Sequence, residues 1–282
     1  MKRYTLSGLL MVLLVTACQA TTKDANEATF VRFAAYADSC HLQTKPAGER
    51  MEGIAAFFMG TPYVGATLEG PGPEQLRINL QGVDCLTLVE YVLALDHCVR
   101  VDSLTYDAFQ NRVTYIRYRN GILDGYPSRL HYTTDWIRNN VAKGVVIRVD
   151  MGTYAVATPL ALNFMSTHPA LYPALVETPS FVDLIAAQEA DLNRDTLYIV
   201  PKTNVEAVYP LIETGDILAI GTSVKGLDYA HLGLAIKADD GSVHLLHASS
   251  SLGRVILTEG SLKSYLMGVS RHTGITVLRA LK

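Results

Sequence analysis

The sequence predicts an α+β fold in which N-terminal helices pack on a C-terminal antiparallel β-sheet. In four segments between residues 28 and 121, apolar side chains recur every three or four positions, as on the buried face of a helix. From residue 214 onward, the chain instead holds short β-rich runs separated by turns that contain glycine. Helices followed by strands are the order typical of an α+β domain.

Four helices are predicted in the first part of the chain, at 28–41, 47–59, 84–99 and from Ser103 to Asn120-Gly121. The clearest of them is 84–99, in which Leu86, Val89 and Leu93 share one face. A stretch rich in Gly and Pro at 60–73 separates the second helix from the third.

The strands of the sheet are predicted at 216–222, 231–237, 243–250, 254–258 and 274–279. The turn Asp239-Asp240-Gly241 would join the second and third of these strands as a hairpin. Between 145 and 214 the pattern is less regular. It predicts a strand at 145–149, a loop punctuated by prolines and a short helix at about 180–191.

Residues 1–17 are typical of a bacterial secretion signal, with a basic start and an apolar run at 9–15 that is too short to cross a membrane. The sequence VTAC, which ends at Cys18, resembles a lipobox, in which the cysteine becomes the acylated first residue. We therefore expect a periplasmic protein with a lipid anchor at Cys18 and a polar tether at 18–27. Gln19 favours the outer membrane over the inner one. An ordinary signal peptide with a chance cysteine is the alternative.

The charge of the chain argues against nucleic acid as a partner. Removal of residues 1–17 takes away two basic residues and no acidic one, so the net charge changes from 24 − 27 = −3 to 22 − 27 = −5. The chain also has no run of Lys and Arg. The zinc-ligand pattern HExxH, paired cysteines and the GxSxG motif of serine hydrolases do not occur, so we predict no metal or other cofactor.

Cys85 has the sequence context of a nucleophile. It directly follows Asp84, the predicted N-cap of helix 84–99. The partial positive charge of a helix N-terminus and a nearby imidazolium would lower the pKa of such a thiol and favour the thiolate. The alternative is a small buried hydrophobic residue, which is what most helical cysteines are.

Two histidines are placed to assist that thiol. His231 opens one predicted strand and His247 lies near the end of the next. If the two strands pair as a hairpin, their register can bring both imidazoles together on one face. His231 would then be the general base and His247 would hold its tautomer. Two edge-strand histidines without a catalytic role are the alternative.

Cys40 and Cys98 have no assigned chemistry. An oxidising periplasm would permit them to form a disulfide. Two buried free thiols are equally compatible with the sequence.

Five short motifs in a fixed order carry a family resemblance: GTPYVG at 60–65, VDCLTLVE at 83–90, TGDILAI at 214–220, HLGLAI at 231–236 and LHASS at 246–250. They resemble the NlpC-type, papain-like cysteine peptidases of bacterial cell walls. With RLHYTTDW at 129–136, the chain is similar to a branch of that superfamily whose members are N-acetylmuramoyl-L-alanine amidases acting on peptidoglycan fragments.

The resemblance implies a papain-like, NlpC-type fold, with a single catalytic domain at 28–282 and an insertion at about 100–214. It also implies Cys85 as nucleophile, His231 as base, His247 as the polar third residue and Tyr63 as a phenol beside the thiol. The chain departs from the usual pattern after that tyrosine, where Val-Gly-Ala replaces an aromatic residue and glycines.

The same resemblance implies a sugar beside the scissile bond. Arg129, His131, Tyr132 and Trp136 would supply stacking and hydrogen bonds to it. A loop that packs its aromatic residues on the core is the alternative.

The function predicted from these features is a cysteine amidase that cleaves the amide between N-acetylmuramic acid and L-alanine in (anhydro)muropeptides. The alternatives are a γ-D-glutamyl-diamino acid endopeptidase and a muropeptide-binding lipoprotein without catalysis. The expected partners are peptidoglycan fragments and, through the lipid, a membrane. The oligomeric state stays open.

Overall fold

The computed structural model describes residues 25–281. Its helices are α1 (25–39), α2 (Ala47–Phe57), α3 (Cys85–Arg100), α4 (Tyr106–Arg117), α5 (Thr133–Ala142), α6 (Phe164–Thr167), α7 (Pro173–Glu177), α8 (Ser180–Leu192) and α9 (Leu262–Met267). Its strands are β1 (Val146–Arg148), β2 (Val156–Pro159), β3 (Thr196–Pro201), β4 (Ile217–Thr222), β5 (Tyr229–Lys237), β6 (Val243–Ser249), β7 (Arg254–Leu257) and β8 (His272–Ala280). Within this range no helix has the length and apolar character needed to span a bilayer. The predicted signal, Cys18 and most of the tether lie outside the described residues.

The strands form one antiparallel sheet in the order β2-β3-β8-β4-β5-β6-β7, and β1 also pairs with β8. The predicted α+β class is therefore confirmed. Segment 100–214, predicted as an insertion, supplies β1, β2 and β3 to this same sheet. The sequence analysis did not predict β3, although Leu197 and Ile199 are buried and Tyr198 between them is exposed, as in a half-buried strand.

The predicted hairpin between β5 and β6 is confirmed. Leu234 pairs with Leu246, and Lys237 pairs with Val243. The backbone N–H of Ala238 donates to the carbonyl oxygen of Ser242 at 2.9 Å, which closes the turn. Gly241 adopts φ 83°, a left-handed conformation that glycine tolerates without a steric penalty.

Helices α1–α4 cover one face of the sheet. Their buried side chains pack against alternate residues of the strands, such as Leu232 and Leu234 on β5 and Leu246 on β6. The opposite face is covered by a 3-10 helix at Val205–Leu211 and by α9. The sheet is thus apolar on both faces, and the site forms where the first turn of α3 meets the beginning of β5.

Residues 126–192 contribute a smaller core of their own around α6, α7 and α8. Its buried members are Tyr126, Tyr132, Leu162, Met165, Leu175, Ile185 and Leu192. The sequence predicts a sugar site at Arg129, His131, Tyr132 and Trp136, with a loop that packs its aromatic residues on the core as the alternative. The structure instead continues from Thr133 into α5, whose side chains at Trp136 and Ile137 are fully buried.

Candidate active site

Cys85 is the first residue of α3, and a reciprocal cap fixes the backbone around it. The Asp84 carboxylate accepts hydrogen bonds from the backbone N–H and the hydroxyl of Thr87, each at 2.8 Å. The Asp84 N–H in turn donates to the Thr87 hydroxyl at 2.9 Å. Because this capping box satisfies the first turn from both sides, the thiol is held at a defined helix start, as the sequence predicted.

Two opposing influences act on the thiol. Burial, with the Asp84 carboxylate adding to it, raises the pKa of Cys85 to about 12. The nearby backbone N–H groups of Leu232, Leu86 and Cys85 itself favour the thiolate and lower its pKa. Burial outweighs these donors, so the resting group is a neutral thiol. The sequence-based expectation of a lowered pKa is therefore wrong for the resting site, because it left out desolvation.

His231 and His247 contact each other directly. Nε2 of His231 lies 2.6 Å from Nδ1 of His247, and the two rings are perpendicular. Nδ1 of His231 is then the nitrogen that remains to take a proton. For Nδ1 to be a base, Nε2 must carry the hydrogen and donate it to His247. His247 is 2% exposed, and its Nε2 has no protein partner among the described residues.

Strand register explains how the pair meets. If the β5–β6 register continues beyond Leu234, position 233 stands opposite His247. That position is Gly233, where an added Cβ would lie 3.0 Å from the His247 Cβ and 2.8 Å from the Leu246 carbonyl oxygen. Because glycine has no side chain, the two imidazole rings can occupy the space beside position 233. The HxG spacing in HLGLAI is the sequence signal for this arrangement.

The pKa values of both histidines are lowered as well. Burial, followed by His247, His272 and Arg271, lowers the pKa of His231 to about 3. Burial alone lowers the pKa of His247 to about 4. The resting site therefore combines a neutral thiol with a neutral imidazole, which is the protonation state a general base needs in order to accept a proton.

Tyr265 on α9 packs against the histidine pair. Its ring centroid lies 5.1 Å from that of His247 and 6.2 Å from that of His231. Burial raises the pKa of Tyr265 to about 12, and negative charge on Cys85 contributes to the same shift. Sequence analysis missed this residue, because α9 is only six residues long and gives no periodic pattern.

Tyr63 lies near the thiol, in the segment that precedes α3. Its backbone N–H donates to the Gly253 carbonyl oxygen at 2.8 Å, and it forms an isolated bridge with Val83. Burial raises the pKa of the phenol, and the charges of Cys85 and Asp84 add to that effect. The structure thus brings Cys85, His231, His247 and Tyr63 into one neighbourhood.

The four residues predicted to bind a sugar do not form a binding surface. Trp136 is 0% exposed, and its indole N–H donates to the Glu90 carboxylate at 3.3 Å. The Tyr132 hydroxyl donates to Glu189 at 2.6 Å inside the smaller core. These aromatic rings pack on the core, so the alternative interpretation of this segment describes their positions.

Arg129 and His131 are also engaged by the protein. Arg129 is 4% exposed, forms an ion pair with Glu69 and donates to the Leu68 carbonyl oxygen at 2.8 Å. Nε2 of His131 lies 3.0 Å from the carbonyl oxygen of Tyr126. Burial, with Arg129 adding to it, lowers the pKa of His131 to about 3. Arg129 therefore fastens the loop after Tyr63 and is not free to bind a ligand.

Cys40 and Cys98 are separate free thiols in the structure. Among residues 25–281, no three His, Cys, Asp or Glu side chains converge on a point that would hold a metal ion.

The chain belongs to the AmiA-like family. Residues 53–275 match the model of the AmiA-like family, described as N-acetylmuramoyl-L-alanine amidase-like. That match spans Cys85, both histidines and Tyr63. None of the curated proteins matches the chain.

Solved structures support the assignment. A crystal structure of an N-acetylmuramoyl-L-alanine amidase from Bacteroides uniformis is 40% identical and superposes with a TM-score of 0.79, covering 84% of this chain and 99% of that one. A Bacteroides fragilis protein named "putative xylanase" is also 40% identical, with a TM-score of 0.75 and coverage of 80% and 98%. A Legionella pneumophila protein with 21% identity and a TM-score of 0.69 shares the fold, with coverage of 93% and 97%.

The chemistry at the site favours an amide bond over a glycosidic one. Xylan hydrolysis, like most glycoside hydrolysis, uses a pair of carboxyl groups on either side of the bond. The groups gathered here are a thiol and two imidazoles, and the carboxylate of Asp84, next to the thiol in the chain, is held by its helix cap. Thiol and imidazole are the pair used in acyl transfer.

Proposed function

We propose that this protein is a cysteine-dependent N-acetylmuramoyl-L-alanine amidase of papain-like fold that hydrolyses muropeptides during peptidoglycan turnover. The observation that carries the proposal is the Cys85 thiol at the start of α3, with the linked imidazoles of His231 and His247 on the neighbouring hairpin. Membership of the amidase-like family supports the choice of bond.

The proposed reaction has two halves. In the first, the Cys85 sulfur attacks the carbonyl carbon of the lactyl group while its proton moves to Nδ1 of His231. The imidazolium then donates that proton to the amine of L-alanine, which leaves as the C–N bond breaks. In the second, a water molecule deprotonated by His231 attacks the thioester. Muramic acid is released with a free carboxylate, and the thiol regains its proton.

The neutral resting site fits this sequence. Because burial disfavours charge on both the thiol and the imidazole, proton transfer has to accompany attack by the sulfur. Backbone N–H groups of the first turn of α3 surround the reacting atoms and would stabilise negative charge on the sulfur or the tetrahedral oxyanion. His247 accepts the Nε2 hydrogen of His231 and thereby keeps Nδ1 free as the base.

Product analysis tests the proposed bond. Purified disaccharide-peptides are incubated with the protein and with Cys85→Ala, and the products are weighed by mass spectrometry. We expect the wild-type protein to release a disaccharide acid and an intact peptide that begins with L-alanine, and the variant to release neither. A disaccharide that retains L-alanine and D-glutamate would show the endopeptidase instead. Saturable binding without any product would show a binding protein.

We further propose that the protein is a periplasmic lipoprotein anchored through Cys18, on the basis of its lipobox-like sequence. Cys18→Ser should move the protein from the membrane pellet to the soluble fraction, with activity retained in vitro. A Ser variant that stays in the pellet after a high-salt wash contradicts the anchor. Separation of inner and outer membranes tests the expected outer-membrane location.

A further inference from the structure

A groove with a volume of about 870 Å³ opens beside the histidine pair. It runs along the outer strands of the sheet, between β6–β7 and α9. His247 and Tyr265 line the end next to the site, and Arg254 and Glu259 add opposite charges to its wall. Nothing in the proposed reaction so far uses this space.

The strand register places Arg254 in line with the catalytic base. Arg254 pairs with Ser249 on β6, and His247 pairs with Ile256. If the β5–β6 register continues three residues beyond its last pair, Leu234 and Leu246, His231 stands opposite Ser249. Side chains in one row across antiparallel strands project from the same face. Arg254 therefore stands two strands from His231, about 10 Å away at the usual strand spacing of roughly 4.8 Å.

The backbone at Arg254 is held from both sides. On one side is β6. On the other, the Val255 N–H donates to the Thr61 carbonyl oxygen at 2.9 Å, and Arg254 forms a bridge with Pro62. The side chain itself is exposed and forms no ion pair within the described residues. The backbone is therefore held in place, and the guanidinium is available to bind a carboxylate.

The chemistry of amide cleavage decides which half of the substrate lies in this groove. The imidazolium must protonate the leaving amine, so the leaving peptide departs over His231 and not over the acyl-bound sugar. Of the imidazole pair, His247 lines the groove, and it lies 2.6 Å from His231. The groove is therefore on the leaving-group side of the scissile bond.

We propose that the groove binds the leaving peptide, with Arg254 pairing with the carboxylate of its acidic second residue. The inference rests on the proposed function, in which the leaving peptide is L-alanine followed by D-glutamate and a diamino acid. The second residue ends about 7 Å from the scissile nitrogen. Arg254 lies in the wall of the groove that His247 also lines.

Glu259 extends the charge match to the third residue. It follows Arg254 by five positions, which is at most about 17 Å along a strand. Along the groove, the positive charge of Arg254 is followed by the negative charge of Glu259. These charges are complementary to a peptide whose carboxylate is followed by the free amine of a diamino acid. The ligand class is thus an acidic peptide with an amine at its far end.

Binding of free dipeptides to the full chain with Cys85→Ala tests the inference without relying on turnover. The probes are L-Ala-D-Glu with its γ-carboxyl capped as a methylamide and the analogue whose D-Glu α-carboxylate is an amide as well, each titrated by calorimetry. In this background, Arg254→Met should weaken binding of the acid about tenfold or more and leave the amide unchanged. Arg254→Lys should fall between, because it keeps the charge but loses the bidentate geometry.

Arg148→Met is the matched control, since Arg148 is an exposed arginine that lines a different cavity. It should bind both dipeptides as the parent does. Equal affinities of Arg254→Met and its parent for the acid would overturn the inference, as would equal weakening for acid and amide. The wild-type product assay is read separately. Absence of cleavage there refutes the amidase, whereas cleavage together with an inert Arg254 refutes only the groove assignment.

Discussion

The β5–β6 hairpin and segment 129–136 both carry side chains that the sequence predicts to be functional. In the structure, those of the hairpin meet at the candidate site, whereas those of the segment are buried in the protein. In the hairpin, two histidines meet at 2.6 Å beside the thiol. In segment 129–136, Trp136 is fully buried and Arg129 forms an ion pair with Glu69. Even the pKa values fail to separate the two regions, because burial lowers those of His231 and His131 alike to about 3.

The difference lies in the kind of signal. Alternation along a strand is fixed by covalent geometry, so the positions of His231 and His247 constrained where their rings could point. The aromatic and basic composition of 129–136 constrained nothing, since such residues serve a core as well as a sugar site. Position within a regular element therefore identifies a site more safely than residue type does.

Loss of the nucleophile is the change with the largest expected effect. Cys85→Ala should reduce kcat by at least about a thousandfold, because neither Cys40 nor Cys98, the other cysteines within residues 25–281, lies in the site. Cys40→Ser is the matched control, as Cys40 is a free, partly exposed thiol elsewhere in the chain. It should retain wild-type kinetics. Thermal unfolding checks that both variants fold. Residual activity of Cys85→Ala above about a tenth of wild type would contradict the assignment of Cys85 as the nucleophile.

Substitution of His231 should reduce kcat/KM more than substitution of His247. His231→Ala removes the base and should cost about a hundredfold to ten-thousandfold in kcat/KM. His247→Ala should cost less, because it loses only tautomer and orientation. His247→Asn, which offers an acceptor to Nε2 of His231, should recover part of that loss. Steady-state kinetics on one muropeptide compare the three. A larger loss for His247→Ala than for His231→Ala would reverse the roles.

In the other region, Trp136 should matter for stability and not for chemistry. Trp136→Ala should lower the free energy of unfolding by about 3–5 kcal/mol, because it opens a cavity in the core. Trp136→Phe should lose less. Denaturant unfolding measures the stability, and kcat/KM per folded molecule should stay near the wild-type value for Trp136→Phe. A selective drop in kcat/KM for substrates that carry the sugar would restore Trp136 as a binding residue.

Most helices and the last five strands could be predicted from local patterns, and so could the helix cap at Asp84 and the histidine hairpin. The parts that could not be predicted depend on distant residues. Arg129 meets Glu69 across 60 positions of chain, which no local spacing reveals. Helix α9 has two buried leucines in six residues, too few to define a period. The pKa of Cys85 was misjudged because the depth of its burial is a tertiary property.

Acid should destabilise both regions but inactivate only through one of them. The unfolded chain binds protons on its histidines below about pH 6.5, whereas folded His131 and His231 stay neutral down to about pH 3. The unfolded state therefore binds more protons in that window, and the free energy of unfolding falls as the pH falls.

His131→Gln keeps a donor for the Tyr126 carbonyl oxygen and removes the titration. Between pH 7 and pH 5 it should lose less stability than the wild type, by on the order of 1–2 kcal/mol, with kcat/KM unchanged. His231→Gln should flatten the same stability profile and abolish turnover. Denaturant midpoints at the two pH values, read with activity, distinguish these outcomes. An unaltered pH slope in His131→Gln would contradict its neutral, buried state.

The mass of the covalent intermediate tests the central claim most directly. Wild-type protein is mixed with a disaccharide-peptide, quenched in acid within one turnover and weighed intact, and its proteolytic peptides locate the adduct. The account predicts an adduct on Cys85 equal to the disaccharide with its lactyl acyl group and no amino acid. An adduct that retains L-alanine and D-glutamate would place the cut at the wrong bond. Turnover with no adduct on Cys85, under conditions that preserve thioesters, would contradict the nucleophile itself.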